Sequence, residues 1–353
     1  MRILHVTNFN LKKAGNVFYD VPRKLNNGFI RNGHAVFEFS DRDIARTATI
    51  FGSRKFGHLP CNNHLIEICT NFRPELIVLG HADMIWPVTL RRIREMLVDV
   101  KIIQWNVDAL FNVDNIDRMM SKAEEIDATF VTTAGDVLQQ FAVGRNIVSY
   151  MPNPVDASLE IHRNFARDDL ENDLVYCVGS SAAGRVYDGI NADVNEMGRR
   201  LIEALPQVKF DFRGMLAQPG AWGAVFQDVM GNARMGLNLN RQKGDYLYAS
   251  DRMAQIMGNG LLTLTDDEAG FEDIYRADEL VFYGDFADLI EKIRFFKEHD
   301  GERRRIAEAG WRKAHGEYSE TIVTQYMIEV AFGLEKSRDY AWPTKIYREV
   351  QDK

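Results

Sequence analysis

Short apolar runs alternate along this chain with stretches whose apolar positions recur every three or four residues. "RILHVTN" at 2–8 opens the series, and Phe18, Val21, Leu25 and Phe29 follow at helical spacing until Asn32-Gly33 supplies a left-handed stop. Next come "AVFEFS" at 35–40, a helical pattern over 62–71, "ELIVLG" at 75–80, a helix over 88–97 and "VKIIQW" at 100–105. A helix over 116–125, "ATFVTT" at 128–133 and a helix over 136–142 complete the first half. Runs such as "LIVL" are apolar at every position, as a strand must be when helices cover both of its faces. Repetition of this kind predicts an α/β fold with a doubly wound parallel sheet.

"SYMPNPVDASLE" breaks the pattern. Pro152 and Pro154 disfavour helix and ladder alike, so Pro152–Asp156 reads as an interdomain linker. The alternation then restarts with "DLVYCVG" at 173–179, a helix over 190–204, "VKFDFRG" at 208–214 and a helix over 221–230. "RMGLNLN" at 234–240, a short helix over 250–258, "LLTLT" at 261–265, a helix over 268–275 and "LVFYG" at 280–284 follow. Beyond Asp285 the chain is almost all helix, and "FADLIEKIRFFKEHD" is amphipathic. Two Rossmann-like domains are expected, 1–152 and 153–318, with a helical segment over 319–353.

Composition alters this picture little. A length of 353 residues suits two domains of ordinary size, and 46% hydrophobic with 27% charged residues is usual for a globular protein. The net charge of −8 argues against a general nucleic-acid binder. Cys61, Cys69 and Cys177 are unevenly spaced, without a metal-ligand pattern, and read as packing residues of a reducing compartment. "MRILHVTN" is a strand rather than a signal peptide, and no apolar run approaches the ~20 residues that span a bilayer. A cytoplasmic location is expected.

Ligands of such sheets bind where strand ends meet helix starts, so strand-end loops are where chemistry is sought. In "SDRMAQIMGNG", Ser250 is placed to cap the helix, Met253, Ile256 and Met257 share an apolar face, and Gly258-Asn259-Gly260 ends it. First-turn amides beside Arg252 can hold an anion; the plainer reading is a buried helix whose Arg252 pairs with a surface carboxylate. In "VGSSAAGRVYDG", Gly179, Ser180 and Gly184 allow close backbone approach and Arg185 can pair with phosphate, although the Gly-Lys-Ser/Thr ending of a P-loop is absent. Arg213 in "FDFRG", and Asn240, Arg241 and Lys243 in "NLNRQKGDY", sit at two further strand ends. In the first domain His81, Asp83 and Asp108 follow strands three and four. Each suits a general base, while His81 could equally satisfy backbone groups and Asp108 cap a helix. His5 lies within a strand and reads as structural. Strand one lacks the G-x-G-x-x-G fingerprint, which argues against a dehydrogenase.

The segment from about Arg234 to Tyr318 resembles the C-terminal half of group 1 glycosyltransferases, especially the spore-maturation type. The matching residues run "ARMGLNLNRQ", "SDRMAQIMGNGLLTLTDDEAGFEDIY", "DELVFYGDFADLIEKIRFFKEHDGERRRIAEAG" and "AHGEYS", and "YMPNPVD" is similar to the family's interdomain turn. The resemblance implies a GT-B fold: two Rossmann-like domains facing a cleft, the donor nucleotide sugar on the C-terminal side, and residues 319–353 packing back on the first domain. It implies no cofactor and no obligatory metal, so Asp266 and Asp267 are not expected to hold one. It makes Glu272 a contact for a ribose hydroxyl, against the plainer reading of a helix cap, and places Asn8, Asn10 and Gly15 in an acceptor-side loop. Gln255 departs from the family, whose commonest helix carries glutamate there; its amide can still bond a hydroxyl. The implied activity is sugar transfer from a nucleoside-diphosphate sugar to a hydroxyl acceptor, with peripheral membrane contact if that acceptor is lipid-linked. A nucleotide-sugar epimerase of the same fold and a non-catalytic nucleotide-sugar-binding protein are the alternatives. Sugar, base, acceptor, stereochemical outcome and oligomeric state stay open.

Overall fold

A computed structural model describes residues 1–50, 52–179, 184–187, 190–242 and 244–350. The chain divides into two compact units, Met1–Pro154 with Glu320–Lys353, and Val155–Ser319.

In the first unit the strands are β1 (Arg2–Thr7), β2 (Ala35–Ser40), β3 (Leu76–Leu79), β4 (Lys101–Asn106), β5 (Ala128–Val131) and β6 (Ile147–Tyr150), with β14 (Ile346–Tyr347) near the C-terminus. Its helices are α1 (Val21–Arg31), α2 (Asp41–Thr47), α3 (His58–Phe72), α4 (Pro87–Met96), α5 (Val113–Met120) and α11 (Glu320–Phe332). Among the described residues the sheet order is β14-β6-β5-β4-β3-β1-β2, parallel throughout except for β14. The order reverses between β1 and β3. Leu76–Leu79 is buried at every position, as its unbroken apolar run requires. Helix α11 lies against α1 at Gly28, where an added Cβ would sit 2.3 Å from the Glu320 carbonyl oxygen, so only glycine allows this approach. Glu320 also pairs with Arg31, and the Tyr326 and Ser149 hydroxyls share a hydrogen bond.

The second unit carries β7 (Asn172–Cys177), β8 (Arg185–Tyr187), β9 (Ile190–Ala192), β10 (Phe210–Arg213), β11 (Ala233–Asn238), β12 (Leu262–Asp266) and β13 (Val281–Tyr283). Its helices are α6 (Val194–Ala204), α7 (Ala224–Met230), α8 (Asp251–Gly258), α9 (Phe286–Glu298) and α10 (Asp300–Glu317). The main sheet is parallel with order β10-β7-β11-β12-β13, and β8 pairs antiparallel with β9. Its order reverses between β7 and β11. A core of aliphatic and aromatic residues from β7, β11, β12, β13, α6 and α9 fills one side of this sheet. Gly236 on β11 lets α8 press close, because a Cβ there would lie 2.5 Å from Ile256 Cγ2.

Several elements depart from the sequence pattern. The helix expected over 268–275 is a single tight turn at Phe271–Asp273, and that over 136–142 is a tighter 3-10 helix, Asp136–Phe141. The helix expected from 190 begins at Val194, because 190–192 pair with β8. Residues 116–125 split into α5 and a turn at Ala123–Glu125. Strand β6 and helix α2 are too short to show a period.

Candidate functional site

At the second unit's switch point, the side chain of Arg252 joins the two diverging strands. Its Nε donates to the Cys177 carbonyl at the end of β7 (3.2 Å), and its Nη1 donates to the Leu239 carbonyl just past β11 (3.3 Å). The guanidinium also lies 5.0 Å from the ring centroid of the buried Tyr176, a cation–π contact that does not neutralise its charge. Ser250 does not act as the expected cap. Its side chain caps none of the α8 amides, because its Oγ accepts from Arg252 Nη1 instead (3.2 Å). These bonds leave the Arg252 Nη2 hydrogens without a partner among the described residues, and they give its guanidinium no carboxylate. The expectation of a surface ion pair for Arg252 is therefore corrected: the charge rests on main-chain carbonyls at the strand ends.

Two further cations gather here. Burial pulls the pKa of Arg185 down, and the nearby positive charges of Arg252 and Arg241 add to that against an opposing contribution from Tyr176. Asn240 is buried, and its Oδ1 has no hydrogen-bond partner among the described residues. Gly179 lies exposed at the end of β7, and the indole of Trp222 comes within 3.6 Å of where a Gly179 Cβ would stand. Trp222 is 45% exposed, and a lone aromatic in the segment Gly220-Ala221-Trp222-Gly223 carries no periodic signal that would single it out.

Other expected residues stand apart from this cluster. Arg213 is held by Asp211 through two contacts of 2.5 and 3.2 Å, so its charge is already matched on its own strand. Gln255 donates to Asp251 Oδ2 (2.8 Å) one turn back on α8. Glu272 is exposed in the 271–273 turn, with no side-chain cap at the turn's start. Ser180 and Lys243 lie outside the described residues.

The first unit places His81, Asp83 and Asp108 just beyond β3 and β4. His81 Nε2 approaches Asp108 Oδ2 to 3.1 Å, off the line of a well-aligned hydrogen bond, and Arg118 reaches the same oxygen at 3.3 Å. Asp108 is not a helix cap, since α5 begins after Asn112. Asp83 is bound by Arg42 at 2.8 Å and approached by Arg54 at 3.8 Å. Burial works to raise the Asp83 pKa, but the hydrogen bond and charge of Arg42 outweigh it and hold the carboxyl low, which makes it a poor proton acceptor. Asp41 and Lys122 extend the network. Burial, reinforced by the Asp83 charge, pushes Asp41 up to about 6, and burial pulls Lys122 down to about 8.

Asn8 and Asn10 bond to one another, Nδ2 of Asn8 donating to Oδ1 of Asn10 at 2.8 Å, and close their loop upon itself. Gly15 follows with φ +88°. His5 is fully buried beside Asn26 and receives the Trp105 indole N–H at 3.3 Å; burial lowers its pKa to about 3, as befits a structural role. All three cysteines are unpaired thiols pushed up to about 12 by burial. No group of three or more His, Cys, Asp or Glu among the described residues is placed to hold a metal ion. No helix among them is long and apolar enough to cross a membrane.

Comparison with solved structures defines the fold. The chain matches sucrose-phosphate synthase from Thermosynechococcus elongatus with a TM-score of 0.56 and 11% identity, over 94% of this chain and 98% of the other. It matches HepE from Anabaena, in complex with UDP and glucose, at 0.53 and 12%, over 95% and 100%. A glycosyltransferase from Rickettsia africae matches at 0.54 and 11%, over 96% and 99%. The fold is GT-B. Residues 195–328 match the family model described as glycosyl transferase-like, a stretch that includes Arg213, Asn240, Arg241 and Arg252. No curated protein matches the chain.

Proposed function

We propose that this protein is a glycosyltransferase that moves a sugar from a nucleoside-diphosphate sugar to a hydroxyl acceptor without a metal ion. The observation that carries the reading is Arg252, suspended between the ends of β7 and β11 with its Nη2 face unclaimed among the described residues. Ligands of open α/β sheets sit at such reversals, and a diphosphate leaving group needs positive charge that is already in place. Arg185, Arg241 and the start of α8 add to that charge. The buried Asn240 oxygen is an acceptor for a ligand hydroxyl or amide. HepE is solved with UDP, so UDP is the first base to test. The order of motifs over 234–318 supports kinship with the spore-maturation type.

In the proposed reaction the acceptor oxygen attacks the anomeric carbon while the bond to the diphosphate breaks. The leaving charge is taken up beside Arg252. The acceptor proton passes to His81, whose imidazolium is stabilised by Asp108. Incubation with nucleotide sugars distinguishes the readings. Release of diphosphate that depends on an added acceptor supports transfer. Interconversion of the sugar without acceptor points to an epimerase, and binding without product to a non-catalytic protein.

A further inference from the structure

The chain is acidic, yet no Asp or Glu precedes Asp20 and none occurs from Ile44 to Ile66. In the first unit these two segments meet. Asp43, buried at the start of α2, accepts hydrogen bonds from the backbone amides of Leu11 (2.8 Å) and Lys12 (3.4 Å), which ties the 11–13 turn to α2. Beyond α2 the loop is closed by Thr49, whose hydroxyl donates to the Ser53 carbonyl, and a turn at Arg54–Phe56 packs back on α2. A groove of about 530 Å³ opens between the 11–13 turn, α2 and the loop that follows α2, lined by Leu11, Lys12, Ile44, Arg46 and Ile50, with Asp43 at its base.

This face combines two features that soluble surfaces keep apart. Ile50 is 99% exposed, Phe56 77% and Leu11 61%, held outward on turns rather than folded into the core. Lys12 and Lys13 share the turn of Leu11, and Lys55 precedes Phe56 on the turn packed against α2; all three are exposed and without an ion pair among the described residues. Arg46 keeps a 3.4 Å contact with the buried Asp43, and Arg54 leans toward Asp83 at 3.8 Å. Exposed apolar tips ringed by lysines match a bilayer whose headgroups are anionic: the tips enter the headgroup boundary and the ammonium groups meet phosphate. Aliphatic tips such as Ile50 and Leu11 offer a nucleic acid no stacking surface.

We propose that residues 11–13, 44–50 and 52–59 form a docking face for anionic membrane surfaces. On the glycosyltransferase reading, such docking favours an acceptor anchored in the same bilayer. The test is co-sedimentation of the full chain with phosphatidylcholine vesicles, with and without phosphatidylglycerol. Binding is expected only to the anionic vesicles, and it should fall as salt is added. Replacing Lys12 and Lys13 by Ala should weaken it about thirtyfold. Ile50→Ser with Phe56→Ser should weaken it about tenfold. Wild-type melting temperatures would show that both variants fold. Failure to sediment with anionic vesicles overturns the proposal, as does unchanged binding in both variants or binding to duplex nucleic acid in place of vesicles. The donor reading would survive such a failure, because nucleotide binding is measured separately and depends on residues of the second unit.

Discussion

At the reversal of strand order in the second unit, Arg252 rests on two main-chain carbonyls and a tyrosine ring, with Arg185 and Arg241 nearby. At the corresponding edge of the first unit, acids and bases alternate: His81 with Asp108, Asp108 with Arg118, Arg42 with Asp83. The two edges occupy equivalent places in related sheets and solve different electrostatic problems. The first arrangement keeps positive charge uncompensated by carboxylate at Arg252, which suits a ligand that brings its own negative charge. The second balances charge within itself, which suits the movement of a proton at little cost to the surroundings. The contrast teaches that matching folds do not imply matching roles; the pairing of charges assigns them.

The contrast between the two edges depends most on Arg252. Replacing it by Ala should lower kcat/KM about 10³-fold in a product-release assay with a nucleotide sugar, the scale of losing one preorganised donor to a departing anion. Arg252→Lys should recover little, since an ammonium carries its three donors on one nitrogen and cannot span both carbonyls while offering a ligand the paired donors of a separate Nη2. His81→Ala should lower kcat about 10²-fold and leave nucleotide affinity unchanged in a binding titration, because the role proposed for it is toward the acceptor alone. Equal loss of nucleotide affinity in that variant would erase the division of labour between the edges.

Asp41 offers a pH test confined to the first unit. Its carboxyl ionises near 3.8 when unfolded and near 6 when folded, because burial and then the Asp83 charge disfavour the anion. Between those values the native state holds more proton than the unfolded chain, so this group's contribution to stability falls as pH rises and the deficit is complete above about 6. Asp41→Asn should therefore gain on the wild type by roughly 3 kcal/mol between about pH 4 and about pH 7, read from denaturation midpoints. The buried His5 depends on pH in the opposite sense, but it is present in both proteins and cancels in the difference. The smallest effect belongs to Asp83. With the Arg42 pair partly exposed, Asp83→Asn should cost about 1 kcal/mol of stability and little turnover. A large loss of kcat would restore it as a base.

Much of the architecture was legible because period and length were unambiguous. Fully apolar runs such as Leu76–Leu79 could only be central strands, and the Gly258-Asn259-Gly260 stop marked the end of α8. The short elements were not legible. Strand β9 and the turn at Phe271–Asp273 each hold too few residues to display a period, and their form is set by pairing or by packing. At the site, Arg252 could be singled out from its place at a helix start. Its hold on Cys177 and Leu239 depends on strands distant in sequence. Arg213 looked equivalent to it, and only the position of Asp211 two residues earlier on the same strand face separates them. Trp222 and Lys122 went unsignalled, since burial and proximity to strand ends are tertiary properties.

On the proposed reading the β7–β11 edge holds a nucleoside diphosphate through Arg252. This is tested most directly by thermal unfolding of the wild type and Arg252→Ala with UDP, and with GDP, dTDP, ADP and CMP in parallel. One diphosphate should stabilise the wild type, by roughly 2.7 kcal/mol at about 100 times its Kd, and the variant should lose most of this shift. A wild type indifferent to every saturating nucleotide, or a variant stabilised as strongly as the wild type, would contradict it.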